Sequence, residues 1–447
     1  MPPAGVPGGA GPERPGGAAG RPAIWKRLLA DIGPLRESAA YRRLWVGQTV
    51  STTGNLMTGV VIAVQVYALT RSSLAVGMVA LAEAVPMLLL GLVGGTFADS
   101  TDRRKLVLAT SSLMALVSAV LALQAALALR QLWLLYVLAA VQASLFSLDT
   151  PASRTFMPRL LGPERIPAAV ALSQMSFQAS LIAGPLLAGV TIAGAGAAAA
   201  YAADAVSFLL VIYAVWRLPP IPVPGGRAAP GIRSVIAGLR YVRRHPVLAG
   251  CLLLDINGMV FGMPMALFPA LAHVHFGGGS RTVGLLYAAP AIGGVVGGVF
   301  SGPLSAIRRQ GLAVLIAVGT WGLAIAGFGV TRTLVLAVPL LAIAGAADMI
   351  NSTFRGTILQ ISTPDAMRGR VNSVGFVVSE VSPALGNVEA GVVAAATSPA
   401  ISAISGGLLC AAGAAALGLM MPAFARYRAR YQAGDEGTVP SAPPAAS

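Results

Sequence analysis

Glu83, Asp255, Asp348 and Glu380 are carboxylates set inside long apolar stretches of this 447-residue chain. A charged carboxylate at the centre of a membrane helix costs about 2.5–3.5 kcal/mol even on the gentler insertion scales, so each one calls for a reason. The chemistry that fits is proton carriage: a desolvated carboxyl can load and release a proton near neutral pH as its access to water alternates. Glu83, Asp255 and Glu380 have no basic partner within their own stretches and rank first for that role. Asp348 precedes Arg355 by seven residues and Asp149 precedes Arg154 by five, spacings that suggest local ion pairs nearer one membrane face. Asp204 and Glu389 read as solvated or helix-capping residues.

Uncharged polar side chains mark a second chemistry, the holding of a ligand. Gln48, Asn55, Gln174, Gln178 and Asn257 interrupt apolar segments, and Gln174 and Gln178, spaced i and i+4, share one helix face. The competing role for a membrane glutamine or asparagine is a hydrogen bond to a neighbouring helix. A largely apolar cavity with a few such points suits amphiphilic organic molecules better than sugars or ions. Catalytic and cofactor signatures are absent from the sequence: no phosphate-binding glycine loop, HExxH or GxSxG occurs, so no enzyme and no cofactor is expected. His273 and His275 share a turn and could ligate a metal, but a solvated turn is the simpler reading, and no metal is assigned. Cys251 and Cys410 both sit in apolar stretches and read as packing residues rather than disulfide partners.

These residues need a scaffold, and composition names it. With 56% hydrophobic and 11% charged residues and a mean hydropathy of +0.76, the chain exceeds what a water-soluble core could hide. A window of about 19 residues finds twelve candidate spans: 44–70, 72–98, 106–129, 131–153, 166–196, 198–217, 247–272, 282–303, 311–331, 333–358, 370–396 and 399–423. Of the 31 Lys and Arg, only Arg71, Arg130, Arg281 and Arg332 fall in one set of alternate turns; the remaining 27 fall in the other set and the two terminal arms. That asymmetry predicts an even number of spans with both termini in the cytoplasm. It also accounts for the net charge of +15 through anionic lipid and topology, leaving no nucleic-acid partner to invoke.

The chain also repeats. Arg154 and Arg355 are each followed nine residues later by Pro and an acid, Arg42–Arg43 and Arg243–Arg244 stand at the same offset, and VGGTF at 93–97 is echoed by VGGVF at 296–300. The expected organisation is a disordered cytoplasmic arm over 1–40, a six-helix bundle over 41–217, a linker over 218–246, a second bundle over 247–423 and a cytoplasmic tail over 424–447. Within the linker, Ile232, Val235, Ile236 and Leu239 alternate with arginines at helical spacing, predicting an amphipathic helix along the inner membrane surface.

Between the second and third spans lies GGTFADSTDRRKLV, residues 94–107. Gly95 permits close helix approach, and Asp99 is an anion at a helix end, suited to the partly positive N-terminus of a neighbour. Arg103 and Arg104 would pair with Asp99 or lipid phosphate, each exposed contact contributing about 0–1 kcal/mol. In span five, SLIAGPLLAGV carries Gly184, Pro185 and Gly189, where proline removes a backbone hydrogen bond and small residues allow tight crossing.

On these residues the chain resembles the major facilitator superfamily over 40–423, in particular its bacterial branch of enterobactin exporters and macrolide efflux proteins. Gly95, Asp99, Arg103 and Arg104 match the G-x-x-x-D-R/K-x-G-R-R/K motif, with Ser100 and Asp102 departing from it. Gly184, Pro185 and Gly189 resemble the antiporter motif G-P-x-x-G-G, with Ala188 departing. TPDAMRGRV at 363–371 and GLRYVRRHP at 238–246 resemble the branch's turn between spans ten and eleven and its central loop. The resemblance implies an all-α membrane protein of twelve transmembrane helices in two pseudo-symmetric six-helix bundles, and an Asp99 latch onto the start of span eleven, Arg368–Ser373. It further implies a bacterial inner-membrane exporter of a small amphiphilic molecule, siderophore- or drug-like, with the proton and membrane lipid as partners and a monomer as the working unit. The arginine-rich basic complement, 29 of 31, agrees with a GC-rich bacterial source. A non-transporting receptor or scaffold on the same fold, and an importer or facilitator, are the alternatives.

Overall fold

The computed structural model describes residues 31–100, 102–218, 232–302, 304 and 307–428; for 91–100, 232 and 233 it describes the backbone alone. The described chain is helical throughout. In a bilayer this is the physical default, because a helix satisfies its own backbone hydrogen bonds where no water can. The long helices are α1 (Ala39–Thr70), α2 (Ser73–Ser100), α3 (Arg103–Ala126), α4 (Leu132–Arg154) and α5 (Ile166–Trp216). After them come α6 (Ile232–Arg243), α7 (Pro246–Phe261), α8 (Ser280–Val299), α9 (Gln310–Val330), α10 (Leu334–Ile361), α11 (Asp365–Ala396) and α12 (Pro399–Met420).

Ten helices among the described residues are long and apolar enough to cross a membrane. One of them holds two spans: α5 reverses at Gly196, whose φ of 83° and ψ of 172° lie where only glycine sits without strain. The helix α11 is not among the ten, because Glu380, Glu389, Asn387 and its serines dilute its hydropathy, yet its 32 residues run the depth of the bundle. Counting both, twelve spans form two halves, α1–α5 and α7–α12.

Two local departures matter for the site. The seventh span is broken: α7 ends at Phe261, and the chain resumes through a 3₁₀ turn, Met265–Leu267, a short α-turn, Phe268–Ala270, and a π-turn, Leu271–His275. A continuous helix over 247–272 was expected; Gly262 and Pro264 interrupt it. The amphipathic helix α6 is present as expected. It is fastened to the second half rather than only lying on lipid, with Val242 and Val235 packed against Leu248, Val371 and Val374. Gly238 lies so close to α11 that an added Cβ would stand 2.2 Å from the Arg370 carbonyl oxygen. Ile236 and Leu239 remain exposed on its other side.

Candidate transport site

The two halves meet most tightly near the face that carries Arg71, Arg130, Arg281 and Arg332. A Cβ added to Gly189 on α5 would stand 2.8 Å from the Ser280 carbonyl oxygen at the start of α8, and one on Gly284 of α8 would stand 2.3 Å from the Pro185 carbonyl oxygen. The pseudo-symmetric pair repeats the arrangement: a Cβ added to Gly77 on α2 would stand 2.3 Å from the Asn387 carbonyl oxygen of α11, and one on Gly391 of α11 would stand 2.6 Å from the Leu74 Cα. Such backbone-to-backbone crossings are how membrane helices associate without a hydrophobic driving force between them. Tyr67 and His273 add a ring contact across the same end, centroids 5.9 Å apart.

Directly beneath this seam opens a cavity of about 860 Å³, lined from both halves. Moving down α2 from Gly77, the wall is formed by Val79, Ala80, Glu83 and Met87; moving down α8 from Gly284, by Tyr287, Pro290, Ala291 and Gly294. Asn55 and Thr58 of α1, Gln142 of α4, Gln178 of α5, Asp348, Ser352 and Thr353 of α10 and Asn387 of α11 add polar points, and Pro185 of α5 borders them. Its volume suits a drug-sized organic molecule, and Met87, Met263, Met265 and Met349 supply adaptable apolar contacts.

The break in the seventh span borders this cavity, where Met263, Met265 and Ala266 line it. Three of the backbone groups at the break are met by side chains from other helices, and the Met265 and Leu267 N–H groups donate to the Met263 and Pro264 carbonyls. Trp321 Nε1 donates to the Gly262 carbonyl (2.6 Å), the Tyr287 hydroxyl donates to the Met265 carbonyl (3.0 Å), and the Ala266 N–H donates to Asn387 Oδ1 (2.7 Å). Irregular backbone at membrane depth is tolerated where it borders a cavity and is satisfied in this way.

The candidate proton carriers separate into different settings. Glu83 and Asp348 both line the cavity, one from each half, and Asp348 Oδ1 is buried without a hydrogen-bond partner. Asp255 is not a lone carboxylate: it is fully buried and ion-paired to Arg355 of α10, with Asn351 Nδ2 donating to its other oxygen at 3.5 Å. Glu380 is half-buried and lies outside the cavity wall. The local ion pairs expected near one face are therefore replaced. Arg355 reaches across to Asp255 rather than back along its own helix to Asp348, because seven residues put two turns, about 10 Å, between them. Asp149 accepts from Thr110 (2.6 Å) and Ser153 (2.8 Å) instead of pairing with Arg154; residues five apart point to different sides of a helix.

Among the polar candidates, Asn55 and Gln178 reach the cavity, whereas Gln48 and the exposed Gln174 do not line it. Asn257 serves packing: its Nδ2 donates to the Cys410 carbonyl at 2.8 Å, joining α7 to α12. Asp204 is neither solvated nor a cap. It is fully buried in the first half and accepts from Thr58 and Ser118, both at 2.7 Å, and from Ser207 at 3.4 Å. Two residues that sequence reasoning passed over are Gln142, which donates to Asn55 Oδ1 at 3.1 Å, and Asn387; both are amides on the cavity wall, the one signal by which they could have been picked out. His273 and His275 bond to the Pro269 and Thr331 carbonyls, and the described residues hold no cluster fit for a metal.

Gly95 and Asp99 are described by their backbone alone, so the contact expected of the Asp99 side chain lies outside what is described. Around them, Asp102 caps α3 by accepting from the Arg104 N–H at 2.9 Å, which gives a reason for an aspartate at that position. Arg104, expected to pair with Asp99 or lipid, donates through Nε to the Val215 carbonyl (3.2 Å) and also to that of Trp216, closing the C-terminus of α5 where the macrodipole favours a cation. Gly184 packs within the first half, against α1 at Thr53 and Leu56, while Gly189 forms the seam between halves.

A twelve-span bundle in two pseudo-symmetric halves, enclosing a polar-dotted cavity beneath a tight seam, defines the protein as a multi-pass membrane transporter of the major facilitator fold and not an enzyme. The sequence model of the family described as "Transmembrane secretion effector" matches residues 30–444, and the chain belongs to that family. It is 28% identical over 358 residues to the enterobactin exporter EntS of Citrobacter koseri, covering 80% of this chain and 86% of that protein. Among solved structures, it resembles a peptide transporter, POT (TM-score 0.71, 12% identity, 88% of this chain and 96% of the other). A bacterial homologue of the iron transporter ferroportin in its inward-facing state is also similar (TM-score 0.66, 15% identity, 87% and 98%).

Proposed function

We propose that the protein is a secondary active exporter that moves a small amphiphilic organic molecule out of the bacterial cell in exchange for protons, by alternating access. The observation that carries this reading is the pair of carboxylates, Glu83 and Asp348, contributed to the lining of one cavity by the two different halves of the bundle. A carboxyl in that position can exchange its proton only on the side to which the cavity is open, which is the requirement for coupling. The basic residues support cytoplasmic termini, and with them an inward-facing arrangement in which the glycine seam closes the outer side. One chain builds the whole cavity, which fits a working monomer. The enterobactin-exporting relative favours outward transport.

In the opposite, outward-open arrangement the inner side must be held shut. Asp99 against the first turn of α11 is the contact assigned to that task, with Gly95 allowing the approach. Asp365 already places one carboxylate at that helix start, paired with Arg368 at 2.7 Å, so the latch is a shared and readily broken one.

The test is retention in cells. Expressing cells loaded with a panel of siderophores and antibiotics should retain more of the true substrate once a protonophore collapses the gradient. Retention that falls on uncoupling would mark an importer, and retention that is unchanged would mark a facilitator or a non-transporting receptor.

A further inference from the structure

Resting on the reading of the cavity as the substrate site, we infer that the transported molecule is a cation: an amphiphile whose positive centre lodges between Glu83 of the first half and Asp348 of the second. Both carboxylates line the cavity, and among the described residues that line it there is no Lys, Arg or His. The neighbouring basic group, Arg355, is ion-paired to the fully buried Asp255, so its single positive charge is shared between two carboxylates, Asp255 and Asp348.

Hydrogen-bonding capacity points the same way. Asp348 Oδ1 and Gln142 Oε1 are both buried with no donor to meet them, and they stand on opposite halves of the same wall. A buried acceptor left unmet is costly, and both orphans are relieved by a ligand that donates, as an ammonium or guanidinium group does. The rest of the wall is apolar, so the cation must carry a hydrophobic body. An anionic chelator would bring like charge against two carboxylates with no basic group on the described wall to offset it.

The same placement makes cation and protons alternative occupants. A bound monocation is balanced by one carboxylate anion; once it leaves, a proton takes its place on that carboxyl and keeps the charge of the cavity unchanged for the return. Charge balance thus links departure of the substrate to uptake of protons without any conformational wire between separate sites.

Tetraphenylphosphonium and tetraphenylborate share shape and size and differ in the sign of their charge, so they isolate the electrostatic term. Binding of each to the full-length transporter in zwitterionic nanodiscs, corrected with empty discs, should show saturable binding of the phosphonium, roughly tenfold or more tighter than the borate. Glu83→Gln and Asp348→Asn should each narrow that ratio; because it is a ratio within one preparation, it does not depend on the fraction of folded protein. Equal or tighter binding of the borate, a ratio unmoved by both substitutions, or binding of neither ion would overturn the inference. Gradient-driven export of a neutral or anionic compound would then still stand on the cell-retention result. Cation preference without an effect of uncoupling would retain the inference and remove proton antiport.

Discussion

Gly284 is the position at which the seam between the halves can be forced. Its added Cβ would stand 2.3 Å from the Pro185 carbonyl oxygen and 3.1 Å from the Gly189 Cα, backbone atoms that cannot rotate aside. Alanine therefore demands a separation of about 1 Å between α5 and α8, and leucine demands more. Overpacking of this kind costs about 1–3 kcal/mol. The strain acts only while the seam is closed, so it should move the two-state equilibrium toward seam opening by roughly 5–150-fold. Spin labels at Arg130→Cys in the first half and Arg332→Cys in the second, in a background lacking Cys251 and Cys410, report the opening as a distance. Gly284→Leu should enlarge the long-distance population, Gly189→Leu should do the same, and Gly194→Leu, with open space around its Cβ, should not. A distance distribution identical to the parent's in folded Gly284→Leu protein would refute the reasoning.

Four further outcomes are expected. Arg355→Met leaves Asp255 charged and buried and should lower stability by about 3–5 kcal/mol, whereas the double change with Asp255→Leu should recover most of it in a thermal-melt comparison. Asp204→Ala strips the acceptor from Thr58 of α1 and Ser118 of α3; at about 0.6 kcal/mol per interhelical bond, the melting temperature should fall modestly while export persists. Glu83→Gln or Asp348→Asn should abolish gradient-driven export, while Glu380→Gln, off the cavity wall, should retain it; loss of export in Glu380→Gln would move the coupling site. Trp321→Phe removes the donor to Gly262, a bond worth about 1 kcal/mol, and should speed hydrogen exchange at the break in the seventh span.

Which parts of this architecture could be read from the chain follows from the physics. Spans are legible because the bilayer imposes one composition over some twenty residues, and the expected ends agree with α2 and α9 to within a few residues. The break after Phe261 was hidden by the same averaging: Met263, Met265 and Leu267 keep the window apolar although Gly262 and Pro264 interrupt the helix. Pairing between helices carries no local signal. Asp255 and Arg355 are 100 residues apart, and nothing near either names the other. Asp204 was misjudged for a related reason, since its position near a span end indicates depth but not the direction it faces, and it faces inward onto α1 and α3. Gly189 stood out through its motif, whereas Gly77, Gly284 and Gly391 do equivalent work and are inconspicuous among 53 glycines.

Exchange of one occupant for another at Glu83 and Asp348 has a direct readout. In lightly buffered detergent solution at neutral pH, adding a saturating cationic substrate to the purified transporter should release protons to a pH indicator, and the release should disappear in the Glu83→Gln/Asp348→Asn double variant. Substrate binding with no proton release in the parent protein, or release undiminished in the double variant, would contradict the account.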